Sequence, residues 1–378
     1  MKTLISIVLL LLIFTPTTCL ANQTLENTLQ ENIAQGLGKI DFSEMQQASL
    51  GAVDNVVERI LQIINGNFDD FSSFADLCIK LFFSNFTKII QQLTPLAVVI
   101  IILGLVRNNN SGIMSQNTQK VVSFVGVSVV ISIILETFVG MYNSALQVIQ
   151  RVSAIGQASM PILLTLMVAN GGNAISNVCQ PSMAIFCTLV IEVVRTVIMP
   201  LSAFSVIFVA ISSISSSVKI EKAASTLTSI SSWLLSIVFV LFSAFTSVQG
   251  IVANSIDGVS FRMAKFATKS YVPILGGYLA DGFDFIVAST SLIKNAFGLV
   301  CLCVLLSNVI EPILTIIVTN LALQIINAVC EPIADGKYTK LISGFGKWLT
   351  FLAVLLIAVS FMFCILIVIA IMCGNGVI

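Results

Sequence analysis

The sequence predicts an all-α, polytopic membrane protein with about six transmembrane helices. Three observations predict it. Hydrophobic residues make up 57% of the chain and charged ones only 10%, with a mean hydropathy of +1.03, which excludes an ordinary soluble domain. The apolar residues gather into runs near the roughly 20 residues that a helix needs to cross a bilayer. Most charges fall between those runs, and Glu136, Glu192, Arg195 and Glu311 are the exceptions inside them. An ionisable group at bilayer depth costs roughly 2.5–3.5 kcal/mol on insertion scales, so such groups mark a protein interior or a water-filled path.

The chain opens on a signal-like segment, residues 1–21. Lys2 is its positive end, Leu4 to Phe14 its apolar stretch, and Cys19-Leu20-Ala21 a small-residue cleavage pattern. Cleavage after Ala21 is favoured over an uncleaved anchor, and in either case the next segment is exported. A lipid-attachment reading of Cys19 is weaker, because Pro16 stands where a Leu-like residue is expected.

Residues 22–85 form an exported region in which acids (Glu26, Glu31, Asp41, Glu44, Asp54, Glu58, Asp69, Asp70, Asp76) outnumber Lys39, Arg59 and Lys80. Leu50, Val53, Val57, Ile60, Leu61 and Ile64 recur at helical spacing, which predicts amphipathic helices lying against the bilayer or a partner. Residues 86–378 form the membrane domain. Its spans are expected at Ile89–Val106, Val121–Met141, Met183–Ile214, Trp233–Val252, Ala296–Ile326 and Trp348–Met372, with seven or eight as the alternative counts. Pro200 inside the long third span predicts a kink or a tilt.

Charge sets the orientation. With an exported N-terminal region, segments 107–120, 215–228 and 328–347 lie inside and carry Arg107, Lys120, Lys219, Lys222, Lys337, Lys340 and Lys347. That agrees with the positive-inside rule. Segment 254–295 is the exception, holding Arg262, Lys265, Lys269 and Lys294 on the exported side, partly offset by Asp257, Asp281 and Asp284.

A candidate internal repeat joins residues 145–252 to 257–372. MPIL at 160–163 echoes VPIL at 272–275, the same offset carries Pro200 onto Pro312, and Trp233-Leu234 resembles Trp348-Leu349. Two crossings per unit make the units parallel. Interrupted segments at matching positions often mark a transporter's working site, whereas chance likeness between apolar segments explains the same echoes.

Glu192 and Arg195 are three apart and share a helix face, so they are expected to pair. Glu311 precedes Pro312, where a freed carbonyl allows a local opening of the helix. Asn320, Gln324, Asn327 and Glu331 then form one polar stripe, read equally as interhelical hydrogen bonding or a wet path. Glu136 has no local partner. Pro273, Gly276, Gly277, Asp281 and Asp284 predict a structured break or re-entrant element, with Pro161 heading the matching segment of the first unit.

Other chemistry finds no residues to carry it. Histidine is absent, so neither a Ser–His nor a Cys–His pair exists, and no GxSxG, HExxH or phosphate-loop pattern occurs. The cysteines show no CxxC, and they read as small buried thiols outside any disulfide or metal site. Asp281 and Asp284 alone make a weak cation site. No catalytic residue, metal or cofactor is expected, and zero net charge gives no pull toward nucleic acid.

The stretch QGIVANSIDGVSFR at 249–262, then AKF at 264–266, VPILGG at 272–277, Asp281 and SLIKN at 291–295 resembles the stage III sporulation protein AE family, as does the whole layout. The resemblance implies a protein of endospore-forming bacteria, made in the mother cell and placed in the membrane around the forespore. It also implies membership in a mother-cell-to-forespore channel complex. The partners implied are the other stage III sporulation A-operon proteins, including an ATPase and ring-forming subunits, and a partner on the forespore side. The family supplies no catalytic residues to carry over. The resemblance leaves two readings open, a subunit that forms or gates a conduit and a non-conducting scaffold.

Overall fold

The computed structural model describes residue 60 and residues 70–108, 116–169, 173–214, 220–255, 276–333 and 336–372. The signal segment, most of the exported region with its amphipathic helices, and Pro273 lie outside the described residues. Among the described residues every regular element is helical: α1 Asp70–Asn108, α2 Gln116–Ala169, α3 Asn173–Val193, a π turn Val194–Ile198, α4 Met199–Ile214, α5 Glu221–Ser255, α6 Gly276–Cys330 and α7 Gly336–Met372. Counting α3, the π turn and α4 as one, 6 stretches are long and apolar enough to cross a membrane. The protein is thus an all-α, multi-pass membrane protein.

Serines and threonines recur inside the spans because their hydroxyls donate to a carbonyl one turn back, as Ser132 does to Ser128 at 2.9 Å and Ser360 to Leu356 at 2.7 Å.

Two helices are far longer than expected. α2 has 54 residues and α6 has 55, about 80 Å at 1.5 Å per residue, against a hydrocarbon core of about 30 Å. α2 continues past Met141 because its inward side stays apolar: Val148, Ile149, Val152, Ile155, Leu163 and Met167 are all buried. Polar residues on the other side end the apolar run but not the helix.

Two prolines break nothing. α2 runs through Pro161 and α6 through Pro312, so the expected interruption at Pro161 and the opening at Pro312 are not found. α6 packs on α1, α2 and α7, and such packing outweighs one missing backbone bond. Pro200 behaves otherwise. A π turn immediately precedes it, and the Met199 N–H bonds five residues back, to the carbonyl of Val194.

α7 is the central helix. It packs on α2, α3, α4, α5 and α6, and most of its side chains from Tyr338 to Ala370 are buried. Side-chain pairs fix the directions. Phe138 meets Trp348 (ring centroids 4.6 Å apart), and a side chain added at Gly156 would touch Phe363, so α2 and α7 run parallel. Asn320 bonds Thr350 and Gly298 faces Ile371, so α6 and α7 run antiparallel. Trp348 is 1% exposed and its indole N–H donates to Ser202 Oγ at 3.3 Å, tying α7 to α4. Its counterpart in the candidate repeat, Trp233, is 64% exposed.

Candidate functional site

Four ionisable groups inside the spans share one property: Glu136, Glu192, Arg195 and Glu311 are all exposed on the surface of the single chain. The bundle interior does not shelter them. Glu192 and Arg195 form no ion pair with each other, which corrects the expected pairing. The π turn begins between them, and its extra residue per turn changes the angular offset between the two side chains from that of a regular α-helix. Glu192 instead accepts a hydrogen bond from Thr196 Oγ1 at 2.7 Å, at the end of a shallow groove lined by Ala184, Ile185, Thr188 and Leu189.

Glu311 lies on α6 beside α1. Asn85 donates to Thr315 Oγ1 at 3.2 Å, and that hydroxyl donates to the Glu311 carbonyl at 2.8 Å. The Glu311 side chain itself is exposed. Further along α6, Asn320 donates to Thr350 Oγ1 at 2.9 Å, and Gln324 donates to Asn320 Oδ1 at 3.5 Å. Asn327 Oδ1 is buried without a hydrogen-bond partner among the described residues. One end of this stripe therefore joins helices, while Gln324 and Glu331 are exposed. Replacing Asn320 with leucine should cost about 0.6–1.7 kcal/mol, the range for interhelical hydrogen bonds in membranes, read as a lower unfolding temperature in detergent. Gln324→Leu should leave that temperature nearly unchanged.

Gly276 and Gly277 are the first residues of α6, and Asp281 and Asp284 follow in its first turns. That segment is helical from Gly276 onward, and Pro273 lies outside the described residues. Pro161 is exposed on α2, and Pro200 is half-buried at the start of α4. Glu192 on α3 and Pro200 on α4 flank the π turn, whereas Glu136 lies on α2 and Glu311 and Asn320 on α6.

Sequence reasoning misses Lys294. By its neighbours in the sequence it reads as a loop charge, yet it lies within α6 and is 0% exposed. A signal for this exists: Val287, Ser291, Lys294, Gly298, Cys301 and Leu305 recur at helical spacing and are all buried. The described cysteines 187, 301, 303, 330 and 364 remain thiols, with Cys301 buried and Cys303 exposed. No group of residues that could hold a metal ion occurs among the described residues.

The family model for stage III sporulation protein AE matches residues 54–376. The chain belongs to the stage III sporulation protein AE family. It is similar to the stage III sporulation protein AE of Bacillus subtilis (strain 168), with 25% identity over 288 residues, covering 76% of this chain and 71% of the relative. No solved structure matches. Membership in the stage III sporulation protein AE family gives the chain a role in sporulation. The matched residues include every described helix.

Proposed function

We propose that this chain is a membrane subunit of the channel complex between mother cell and forespore, and that it forms or gates a conduit there. The observation that carries this reading is the exposure of Glu136, Glu192, Arg195 and Glu311 within membrane-length helices. Lipid penalises each such group by roughly 2.5–3.5 kcal/mol, so these surfaces need water or a partner protein against them. A subunit that stands alone in lipid would hide them. The exposure calls only for some partner or water; family membership is what supports an ATPase, ring-forming subunits and a forespore-side protein as those partners, and the mother-cell membrane around the forespore as the place.

A non-conducting scaffold is the second reading, favoured by the Asn320–Thr350 and Asn85–Thr315 bonds, which use polar side chains to join helices. Glu311→Gln separates the two. The Glu311 carboxylate makes no hydrogen bond or ion pair among the described residues, so the substitution should leave protein level and membrane insertion unchanged. The conduit reading expects a severe drop in heat-resistant spores from that strain. Normal sporulation with Glu311→Gln, or loss of the protein itself, counts against a conducting role for this residue.

A further inference from the structure

We infer that the exposed face of α2, from Ser132 to Thr165, lines a water-filled path enclosed by further copies of this chain, with Glu136 as its exposed charge at membrane depth. The inference rests on the conduit reading and names the surface that would serve it.

Periodicity comes first. Ser132, Glu136, Asn143, Gln147, Gln150 and Gln157 are exposed, three, four or seven residues apart. The small residues Gly140 and Ala154 fill the gaps in the same face, and Pro161 and Thr165 extend it. Together they make one nearly straight stripe along the helix. Between Ser132 and Thr165 the other residues are buried or half-buried, except Val139 at the edge of the stripe.

Depth decides what the stripe means. An amide face would need no explanation if this part of α2 stood in bulk water, but two contact chains place it level with greasy surface. Phe138 packs on Trp348, and Trp348 reaches Ser202, so Glu136 is level with the part of α4 where Phe204 is 52% exposed. Further along, Gly156 faces Phe363, and Phe361 stacks on Phe239 with centroids 6.3 Å apart. That puts Gln157 level with Val240 and Leu241, which are 65% and 58% exposed. At the same height, α4 and α5 offer hydrocarbon to their surroundings and α2 offers amides. Lipid against all three would favour apolar residues on all three.

The chemistry of the stripe suits water. Amides and hydroxyls both donate and accept, so they can solvate polar species without carrying charge. Glu136 supplies an exposed full charge, of the sign that favours cations, while Arg151 stands half-buried at the flank of the stripe. Next to Glu136, Gly140 leaves room, since a side chain added there would meet nothing within 4 Å. One helix face cannot enclose water. Rotational symmetry among identical chains is the common way to close such a ring, and it would give each copy one stripe. Copies of Glu136 repel one another, which favours facing across water over dry contact.

Single cysteines in a cysteine-free chain that still supports sporulation test this, using a membrane-impermeant thiol reagent on vesicles of both orientations. Glu136→Cys, Gln150→Cys and Gln157→Cys should react about tenfold or more faster than Phe204→Cys and Val240→Cys, because the reactive thiolate forms in water. A bifunctional thiol reagent should link Gln150→Cys chains into dimers. Adding Gly140→Leu, which has open space in the single chain, should slow the reaction at position 136 without lowering the amount of protein. Reaction at 136 no faster than at 204, absence of linked dimers, or indifference to Gly140→Leu overturns the path. Labelling does not depend on spore yield, so an unreactive stripe in a strain whose sporulation still requires the chain sinks this inference alone.

Discussion

Trp348→Ala should destabilise the detergent-solubilised protein by about 3–5 kcal/mol, the usual cost of emptying a large aromatic site in a packed interior. The indole sits where three helices meet. Its ring centroid lies 4.6 Å from that of Phe138 on α2 and 5.6 Å from that of Phe345 on α7, and its N–H donates to Ser202 of α4. Alanine removes the ring contacts and leaves a void that its neighbours cannot fill without moving whole helices. Trp348→Phe restores part of the ring packing but not the bond to Ser202, so it should fall between alanine and the parent. Trp233→Ala is the control. At 64% exposure it should shift stability by no more than about 0.5 kcal/mol, as surface changes do. Thermal unfolding followed by circular dichroism reads all three, and equal losses at Trp233 and Trp348 would refute the central placement of α7.

The second large effect is expected at Gly104, where α1 passes the end of α6. A Cβ there would stand 2.6 Å from both the Ile333 carbonyl oxygen and Ile333 Cγ2. A flexible side chain can turn aside, but a backbone carbonyl cannot, so Gly104→Ala should push α1 outward. Overpacking of this kind costs about 1–3 kcal/mol. Gly336→Ala makes the comparison, because a side chain there meets nothing within 4 Å. It should be neutral or slightly stabilising, since alanine loses less backbone freedom in a helix. A Gly104→Ala protein as heat-stable as its parent would mean that α1 and α6 touch more loosely than the Gly104–Ile333 approach implies.

The spans are legible in the sequence because crossing a bilayer demands long apolar runs, and run length survives any arrangement of the helices. The true extent of α2 is not. Beyond Met141 the sequence mixes Asn143, Gln147, Gln150 and Gln157 with buried apolar residues, so average hydropathy falls although the helical period continues. α6 reads too short for a related reason: Lys294 resembles a loop charge, yet it occupies a buried position in an unbroken period. Trp233 and Trp348 head similar runs in the sequence, and only packing distinguishes them. Pairing of Glu192 with Arg195 presumes a regular α-helix, and the π turn before Pro200 removes that premise. Whether Asn320 joins helices or meets water depends on what α7 places opposite, and Thr350 is 30 residues away along the chain.

The position of α7 sets an order of events during synthesis. The helix around which the others close comes after them along the chain, so the ribosome delivers it later than the helices it joins. Until it arrives, Phe138, Ser202 and Asn320 are already inserted but lack the neighbours that hold them. The early helices can pair among themselves, as α6 does with α1 and α2, but the faces that α7 covers stay unfilled until it inserts. During that interval their unfilled faces are open to wrong partners and to membrane proteases.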